Sequence, residues 1–521
     1  MWQEKRDVVV IVFSLLLLTC VSSSLLPILP RDETRYLSVA WEMYIHKSLL
    51  IPLINGKFYT HKPPLLFWLI ILLWKVVGIC GGCVRIIPLL FSLASLFLIK
   101  KMASLLWGGE REGVVAMYLA SGTILWMLWS FLIMFDMLLT FWVLLAIYGG
   151  LVWRLRHKKE ALVLVMVGTW GGILTKGPVT LLHIISASIA LEFSFPPGPL
   201  SRKKWWTLML SSLLLGILLC GSWLIPACIK GGEGYCHNIL WTQTLERIHH
   251  SFAHKRPLWW YIPLLPVLFF PWSLYLGIWK HAFSLRREPG VKWCLLWFSL
   301  TFGLFSIISC KQIHYLLPLI PCISLIGAKA IVSYKENRGP SLPPAVFATM
   351  GMGVILLPLL KKIFPHLSLI PTSMCLPLGL ILVCGGITLF ILRRKEQSFL
   401  IRAQTLFIFF IALSNIFLFS HSSLYRRFDL TPLAKAVHDL QKKGKEVTFV
   451  GDYEDELGFL GRLTGKIKEI SFSKLPHFIR THPHSFLIIK TSPSTTLPPQ
   501  LTNRVVMRQP YDRKILLLIR E

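Results

Sequence analysis

Long apolar runs dominate the chain, and its polar positions gather into short clusters between them. A run of about 20 apolar residues matches the thickness of a bilayer's hydrocarbon core. Fourteen candidates centre on 8–29, 64–79, 84–106, 113–129, 132–153, 161–175, 178–195, 205–229, 258–279, 293–309, 314–333, 343–360, 369–392 and 402–420. Each predicts an apolar helix. The first is as long as a spanning helix and lacks a small-residue cleavage site, so it reads as an uncleaved span. Segment 64–79 is short, follows Pro63-Pro64 and contains Lys75, which suits a juxtamembrane helix lying along the interface. The stretch 422–521 differs in kind. Helical patterns (Leu433–Lys443, Glu454–Leu463) alternate there with strand-like runs (Val447–Val450, Phe486–Ile489, Ile515–Ile519), predicting a small α/β domain.

Composition sharpens this picture. Of 521 residues, 54% are hydrophobic and only 15% charged, against about 25% charged in soluble domains; mean hydropathy is +0.61. A soluble enzyme, a secreted disulfide scaffold, a collagen and a disordered chain are excluded. The formal net charge of +30 at this hydrophobicity indicates cytoplasmic loops and anionic membrane lipid, not nucleic acid.

Seven basic clusters decide the topology: Lys5/Arg6, Lys100/Lys101/Arg111, Arg154/Arg156/Lys158/Lys159, Arg202/Lys203/Lys204, Lys280/Arg286/Arg287/Lys292, Lys335/Arg338 and Arg393/Arg394/Lys395/Arg402. The positive-inside rule places them in the cytoplasm. Were all fourteen candidates to cross, 100–111 would fall outside; leaving 64–79 at the interface repairs the alternation. The expectation is an all-α polytopic membrane protein of about 13 transmembrane helices, N-terminus inside and C-terminus outside. Its domains are 1–421, with outside loops at 30–83 and 230–257, and an outer 422–521.

Cys20, Cys220, Cys294, Cys322 and Cys384 sit in apolar runs, where a thiol behaves as a small hydrophobe. Two close pairs remain, Cys80/Cys83 and Cys228/Cys236. A redox or zinc reading needs further ligands or a thioredoxin-like context, and the sequence displays neither.

Candidate chemistry lies along one membrane face. Arg31-Asp32-Glu33-Thr34-Arg35-Tyr36 directly follows the first span. Its carboxylates could serve as a base, a metal ligand or a head-group clamp, or simply complement a helix dipole. His61-Lys62-Pro63-Pro64 holds Lys62 on an extended backbone at the bilayer surface. Asp136 stands alone in an apolar helix, about one turn from its outer end; such a carboxylate is expensive and marks a functional site by default. Lys176-Gly177-Pro178 forms an outer turn, His254-Lys255-Arg256 precedes the aromatic run ending at Tyr261, and Lys311, His314 and Tyr315 share a short outside turn. Each has an ordinary interface explanation. Together they suit an anionic amphiphile such as a lipid phosphate, and not a secondary transporter, whose ionisable groups cluster near mid-membrane.

At these residues the sequence resembles the bacterial membrane-embedded, GT-C type polyprenyl-phosphate glycosyltransferases. Within them it is similar to the lipid A 4-amino-4-deoxy-L-arabinose transferases, which share a plan with the protein O-mannosyltransferases. The motifs are Asp32-Glu33-x-Arg35-Tyr36, Glu42-Met43, Lys62-Pro63-Pro64-Leu65 with Trp68, Phe135-Asp136-Met137, Thr175-Lys176-Gly177-Pro178, and Glu246/Arg247 with His254 to Tyr261. Pro271-Trp272 and Lys311-x-x-His314-Tyr315-x-x-Pro318 complete them. The motifs follow the family over roughly 8–333; the tail matches only in kind. Where many members carry Glu before Lys-Pro-Pro, this chain has His61.

The resemblance implies a periplasmic active site in the bacterial inner membrane. The donor would be a polyprenyl-phosphate-linked sugar and the acceptor lipid A or another envelope molecule. It assigns Asp32 and Asp136 as catalytic. Glu33, Arg35, Tyr36, His61, Lys62, Lys176, His254, Lys255, Arg256, Tyr261, Lys311 and Tyr315 would bind substrate. Lys62, Arg256 and Lys311 lead as phosphate-neutralising groups. No dedicated metal cage is visible; a divalent ion is compatible but unassigned. A hexose or protein acceptor within the same class, and a non-enzymatic carrier-lipid transporter, are the alternatives.

Overall fold

A computed structural model describes residues 2–196, 201–241, 256–334, 342–363, 371–392, 397–482, 485–492, 503–511 and 514–520. Helices fill the apolar runs: α1 (Trp2–Leu25), α2 (Asp32–Ile45), α3 (Leu65–Val77), α4 (Ile86–Trp107), α5 (Glu110–Ser121), α6 (Ile124–Trp129), α7 (Phe135–Arg156), α8 (Leu162–Lys176), α9 (Val179–Ser194) and α10 (Arg202–His237). Further helices run over Pro289–Ile307, Ile320–Ser333, Leu342–Ile363, Thr372–Leu392 and Gln397–Ser420. Among the described residues nine helices are long and apolar enough to cross a membrane. The chain is a multi-pass membrane protein. Helix α3 has 13 residues, about 20 Å of rise, too short to traverse a core of about 30 Å.

Two expected spans are irregular. The run 113–129 breaks between α5 and α6 at Gly122, where an added Cβ would lie 2.7 Å from the Trp272 ring. The run 258–279 is not one helix. Pro263, Pro266 and Pro271 divide it into short pieces, Leu258–Leu264, Leu265–Leu268 and Trp272–Leu274, ahead of a helix at Leu276–Ser284, because proline lacks the N–H that continues a ladder. The basic residues Lys335, Arg338, Arg393, Arg394 and Lys395, and most of the 361–368 turn, lie outside the described residues.

The chain divides into two compact units. A helical unit comprises Met1–Ser22, Thr60–Leu66 and Arg85–Asn415; a mixed unit comprises Ser23–Tyr59, Phe67–Val84 and Ile416–Glu521. The boundary expected at 421/422 thus meets only one piece of the mixed unit, since 23–59 and 67–84 group with the C-terminal segment. Two of the buried acidic groups in the helical unit have a basic partner, as a low-dielectric setting favours. Arg402 reaches Asp7 at 2.9 Å, and Arg154 reaches Glu192 at 3.4 Å.

In the mixed unit, β1 (Leu53–Ile54) and β2 (Lys57–Phe58) form a small hairpin. The strands β3 (Val447–Val450), β4 (Lys468–Ile470), β5 (Phe486–Thr491), β6 (Val505–Tyr511) and β7 (Lys514–Arg520) form one sheet in the order β4-β3-β5-β7-β6. Strand β3 runs parallel to β4 and β5, whereas β7 is antiparallel to β5 and β6. Both faces are covered. Leu433 and Val437 of helix Thr431–Lys442 pack on Phe449, Ile488, Leu516 and Leu518, while Phe478 packs on the opposite face with Leu487, Ile489, Leu517 and Ile519. Each such fully buried Leu or Ile contributes about 1.5–3 kcal/mol, so β5 and β7 anchor this layer.

The run Glu454–Leu463, expected to be helical, is a turn-rich loop instead. Asp455 (φ 57) and Arg462 (φ 51) adopt left-handed backbone. Its polar backbone is satisfied from α2: Ser38 Oγ donates to the Asp455 carbonyl (2.8 Å) and accepts from the Phe459 N–H (2.9 Å), and Trp41 Nε1 donates to the Leu463 carbonyl (2.8 Å). Partners remote in sequence outcompete local helix formation here.

Candidate active site

The helical unit builds a charged cluster at two opposed helix ends. Asp136 is the second residue of α7, where a carboxylate complements the N-terminal dipole; Lys176 closes α8, where a cation complements the C-terminal dipole. The chain leaves α8 through Gly177 at φ +75, a backbone that disfavours a side chain, and Pro178 then opens α9. The turn thereby fixes Lys176. Its Nζ lies 2.5 Å from Asp136 Oδ1, and both side chains are buried. His314 Nε2 stands 3.9 Å from the same oxygen, with its ring stacked on Trp129. Lys176 Nζ also lies 4.7 Å from the Tyr315 ring centroid.

Lys62 joins this group. It precedes Pro63-Pro64 in non-helical backbone ahead of α3, and its Nζ lies 5.8 Å from the Phe135 ring centroid. It is among the cations near enough to act on the Asp136 carboxylate. Two ammonium groups and an imidazole therefore gather near one buried carboxylate.

The segment 308–315 joins that cluster to a second one. Lys311 Nζ donates to the carbonyls of Ile308 (2.6 Å) and Arg256 (3.2 Å), and the Arg256 N–H donates to the Ser309 carbonyl (3.1 Å). Burial pushes the Lys311 ammonium below its usual range. Lys311 thus braces two backbone stretches and retains one donor. The Arg256 guanidinium lies over Trp260, and Tyr261 Oη–H donates to the Gln312 carbonyl at 3.1 Å. Tyr315 Oη contacts Cys310 Sγ at 3.8 Å. His61 is exposed in the same unit. His254 and Lys255 lie outside the described residues.

Asp32, Glu33, Arg35 and Tyr36 belong to the mixed unit. Asp32 is exposed in the first turn of α2, with Tyr36 Oη 3.4 Å from its Oδ1. Glu33 is buried and accepts the Leu29 N–H at 2.8 Å, a role in shaping the turn. Arg35 pairs with Glu454. Burial opposes the charge on Arg35, but Glu454, Tyr59 and Asp32 outweigh it and raise its pKa. Glu42 accepts the Gly56 N–H at 2.9 Å and is itself pushed up by burial. Sequence reasoning missed Glu454 and Asp455, although the acidic run Asp452-Tyr453-Glu454-Asp455-Glu456 in a basic chain was a signal.

Burial, and then the neighbouring Glu42, push Asp455 up to about 7. The folded unit therefore holds a proton that the unfolded chain has released above about pH 4, and stability falls as pH rises from there through 7. The full effect is on the order of 4 kcal/mol. Unfolding of the purified chain, followed between about pH 4 and 8, is expected to show this decline, and Asp455→Asn to flatten it. An unchanged slope in the variant would assign the pH dependence to other groups.

Among the described residues no three His, Cys, Asp or Glu side chains converge to hold a metal ion.

Comparison with known proteins agrees with this architecture. Residues 61–223 match the family model described as dolichyl-phosphate-mannose-protein mannosyltransferase. The undecaprenyl phosphate-alpha-4-amino-4-deoxy-L-arabinose arabinosyl transferase 1 of Proteus mirabilis is 25% identical over 337 residues, covering 62% of this chain and 60% of that one. The corresponding transferase of Pectobacterium atrosepticum is 26% identical, covering 67% and 66%, and that of Pseudomonas aeruginosa 28% identical, covering 63% and 60%. The matches thus span 60 to 66% of the length of these relatives. The crystal structure of ArnT from Cupriavidus metallidurans bound to undecaprenyl phosphate superposes with a TM-score of 0.78 at 16% identity, covering 98% of this chain and 97% of that one. The fold is that of this ArnT structure. In sequence the chain is similar to the aminoarabinose transferases and to the mannosyltransferase model, in line with the resemblance carried by the motifs.

Proposed function

We propose that the chain is an integral-membrane glycosyltransferase of the bacterial inner membrane. It moves a sugar, most simply 4-amino-4-deoxy-L-arabinose, from undecaprenyl phosphate to a lipid A phosphate on the periplasmic side. The observation that carries this reading is the gathering of Lys62, Lys176 and His314 near Asp136, a set of cations that suits a phosphate leaving group. The names of the relatives support the choice of sugar and acceptor. The reaction is substitution at the anomeric carbon with an oxocarbenium-like transition state. Lys62 neutralises the departing phosphate, Lys176 assists under the hold of Asp136, and the Lys311 brace keeps Arg256 and Tyr315 in place. Asp32 serves the acceptor side. A lipid A phosphate, with a second pKa of about 6, is already ionised near neutrality, so Asp32 does not need to remove a proton. In this reading the thirteen crossings run from a cytoplasmic N-terminus to a periplasmic C-terminus, and 422–521 lies outside.

The mannosyltransferase family match favours one second reading, transfer of a hexose to an envelope protein. Mass spectrometry of lipid A and of envelope glycoproteins, with and without the gene, separates the two. An aminopentose increment on lipid A that disappears with the gene is the expected result. An unchanged lipid A accompanied by lost protein hexose would replace the first reading with the second.

A further inference from the structure

The Cys80-Gly81-Gly82-Cys83 turn takes no part in the transfer chemistry above, and its geometry is organised around sulfur. The Cys83 N–H donates to Cys80 Sγ at 3.1 Å, and Cys83 Sγ–H donates to the Cys80 carbonyl at 3.3 Å. Both cysteines are half-buried. Trp74 Nε1–H fixes the same Cys80 carbonyl at 2.9 Å, and Trp74 stacks on Phe459. The Arg462 guanidinium lies over the Phe459 ring and close enough to Cys80 to interact with it electrostatically. Negative charge that develops on Cys80 Sγ during an attack would thus meet a backbone N–H and a nearby cation.

The two glycines let the turn pack closely. A Cβ on Gly82 would stand 2.5 Å from the Ser23 carbonyl oxygen, and one on Gly81 3.0 Å from the Phe459 ring. A cavity of 270 Å³ adjoins the same two glycines, lined also by Pro27, Leu460 and Arg462. All these residues lie within the mixed unit.

We propose that Cys80 and Cys83 form a thiol–disulfide exchange site whose oxidising partner is a protein or small-molecule disulfide, RSSR. Cys80, as thiolate, attacks one sulfur of RSSR; a Cys80–SR bond forms, the RS–SR bond breaks, and RS⁻ takes up the proton that Cys80 released. Cys83 then gives up its proton and attacks the Cys80 sulfur, closing the Cys80–Cys83 bond and expelling the second RSH. Two thiols are oxidised by two electrons, and RSSR is reduced to two RSH. Because only two residues separate the cysteines, the bond closes a very short loop and adds little chain-entropy stabilisation. It therefore serves exchange more than stapling, with its oxidation state set by the surrounding redox poise. The proposal is independent of the sugar-transfer reading.

The test uses the full-length chain purified in detergent and equilibrated with mixtures of reduced and oxidised glutathione. Samples are quenched in acid and alkylated, and the peptide carrying both cysteines is weighed. The doubly alkylated form is expected to convert to an unalkylated disulfide in a single two-electron step. Cys83→Ser is expected to accumulate a glutathione adduct on Cys80, and Cys80→Ser to leave Cys83 at least about tenfold less modified, because the Cys83 N–H points at Cys80 Sγ and Arg462 lies close to Cys80. Full alkylation of both cysteines in the most oxidising mixture, or equal adduct formation in the two variants, would overturn the proposal. Since the readout is mass, a chain without transferase activity would still decide the question.

Discussion

Replacing Asp136 by Ala is expected to destabilise the protein by about 3–5 kcal/mol, the cost of leaving a buried partner charge uncompensated. Lys176 is the partner at issue: its side chain is buried at the end of α8 and its ammonium lies 2.5 Å from Asp136 Oδ1. The same principle sets a second expectation. Exchanging both residues for leucine removes the stranded charge together with its partner, so Asp136→Leu/Lys176→Leu should regain most of the lost stability. Sugar transfer should remain abolished in both variants. Denaturant or thermal unfolding in detergent, with the transfer assay run in parallel, separates the structural work of the pair from its chemical work. A single Asp136→Ala variant as stable as the parent would mean that Lys176 finds another partner and that the pair is not the organising contact of this cluster.

Lys62 offers the complementary case, with a large effect on rate and a small one on folding. It stands over the Phe135 ring on backbone held non-helical by Pro63-Pro64. Asp136 already has Lys176 at 2.5 Å, so removing Lys62 leaves that carboxylate paired. Lys62→Ala is expected to insert and fold normally while kcat/KM for transfer falls about 10²–10³-fold, the usual loss when one preorganised electrostatic group is removed from a site of developing charge. Lys62→Arg should recover part of the rate, since the charge persists in a different shape. A full-rate Lys62→Ala enzyme would remove this residue from the phosphate site.

What could be read in advance followed from the range of the interactions involved. Apolar runs identified helices because burial in lipid is a property of each segment alone. The interruptions at 257–272 are carried by prolines already visible in the chain, yet the run was long enough to resemble a span. In the tail, β3, β5 and β7 announced themselves by apolar alternation or continuity, whereas β4 and β6 are partly exposed and gave weak patterns. The loop Glu454–Leu463 was misread because its helical periodicity is a local signal, while its backbone partners Ser38 and Trp41 sit more than 400 residues away.

The candidate site divides along the same line. Asp136 was conspicuous as a lone carboxylate among apolar residues, but no local rule pairs it with Lys176, 40 positions on, or brings His314 to its other side. The interaction of Arg35 with Glu454 spans 419 positions, beyond the reach of any local rule. Lys311 likewise proves to brace backbone carbonyls, which its surface-turn context did not disclose.

The most direct test of the central claim is a reconstituted reaction. The purified chain in detergent, without compartments, is given an undecaprenyl-phosphate-linked aminopentose and lipid A, and both lipids are weighed over time. The expected result is lipid A gaining one aminopentose as an equal amount of undecaprenyl phosphate is released, with both changes absent in Asp32→Asn. A well-folded chain that binds the donor lipid yet leaves its sugar bond intact, whatever acceptor is supplied, would contradict the account.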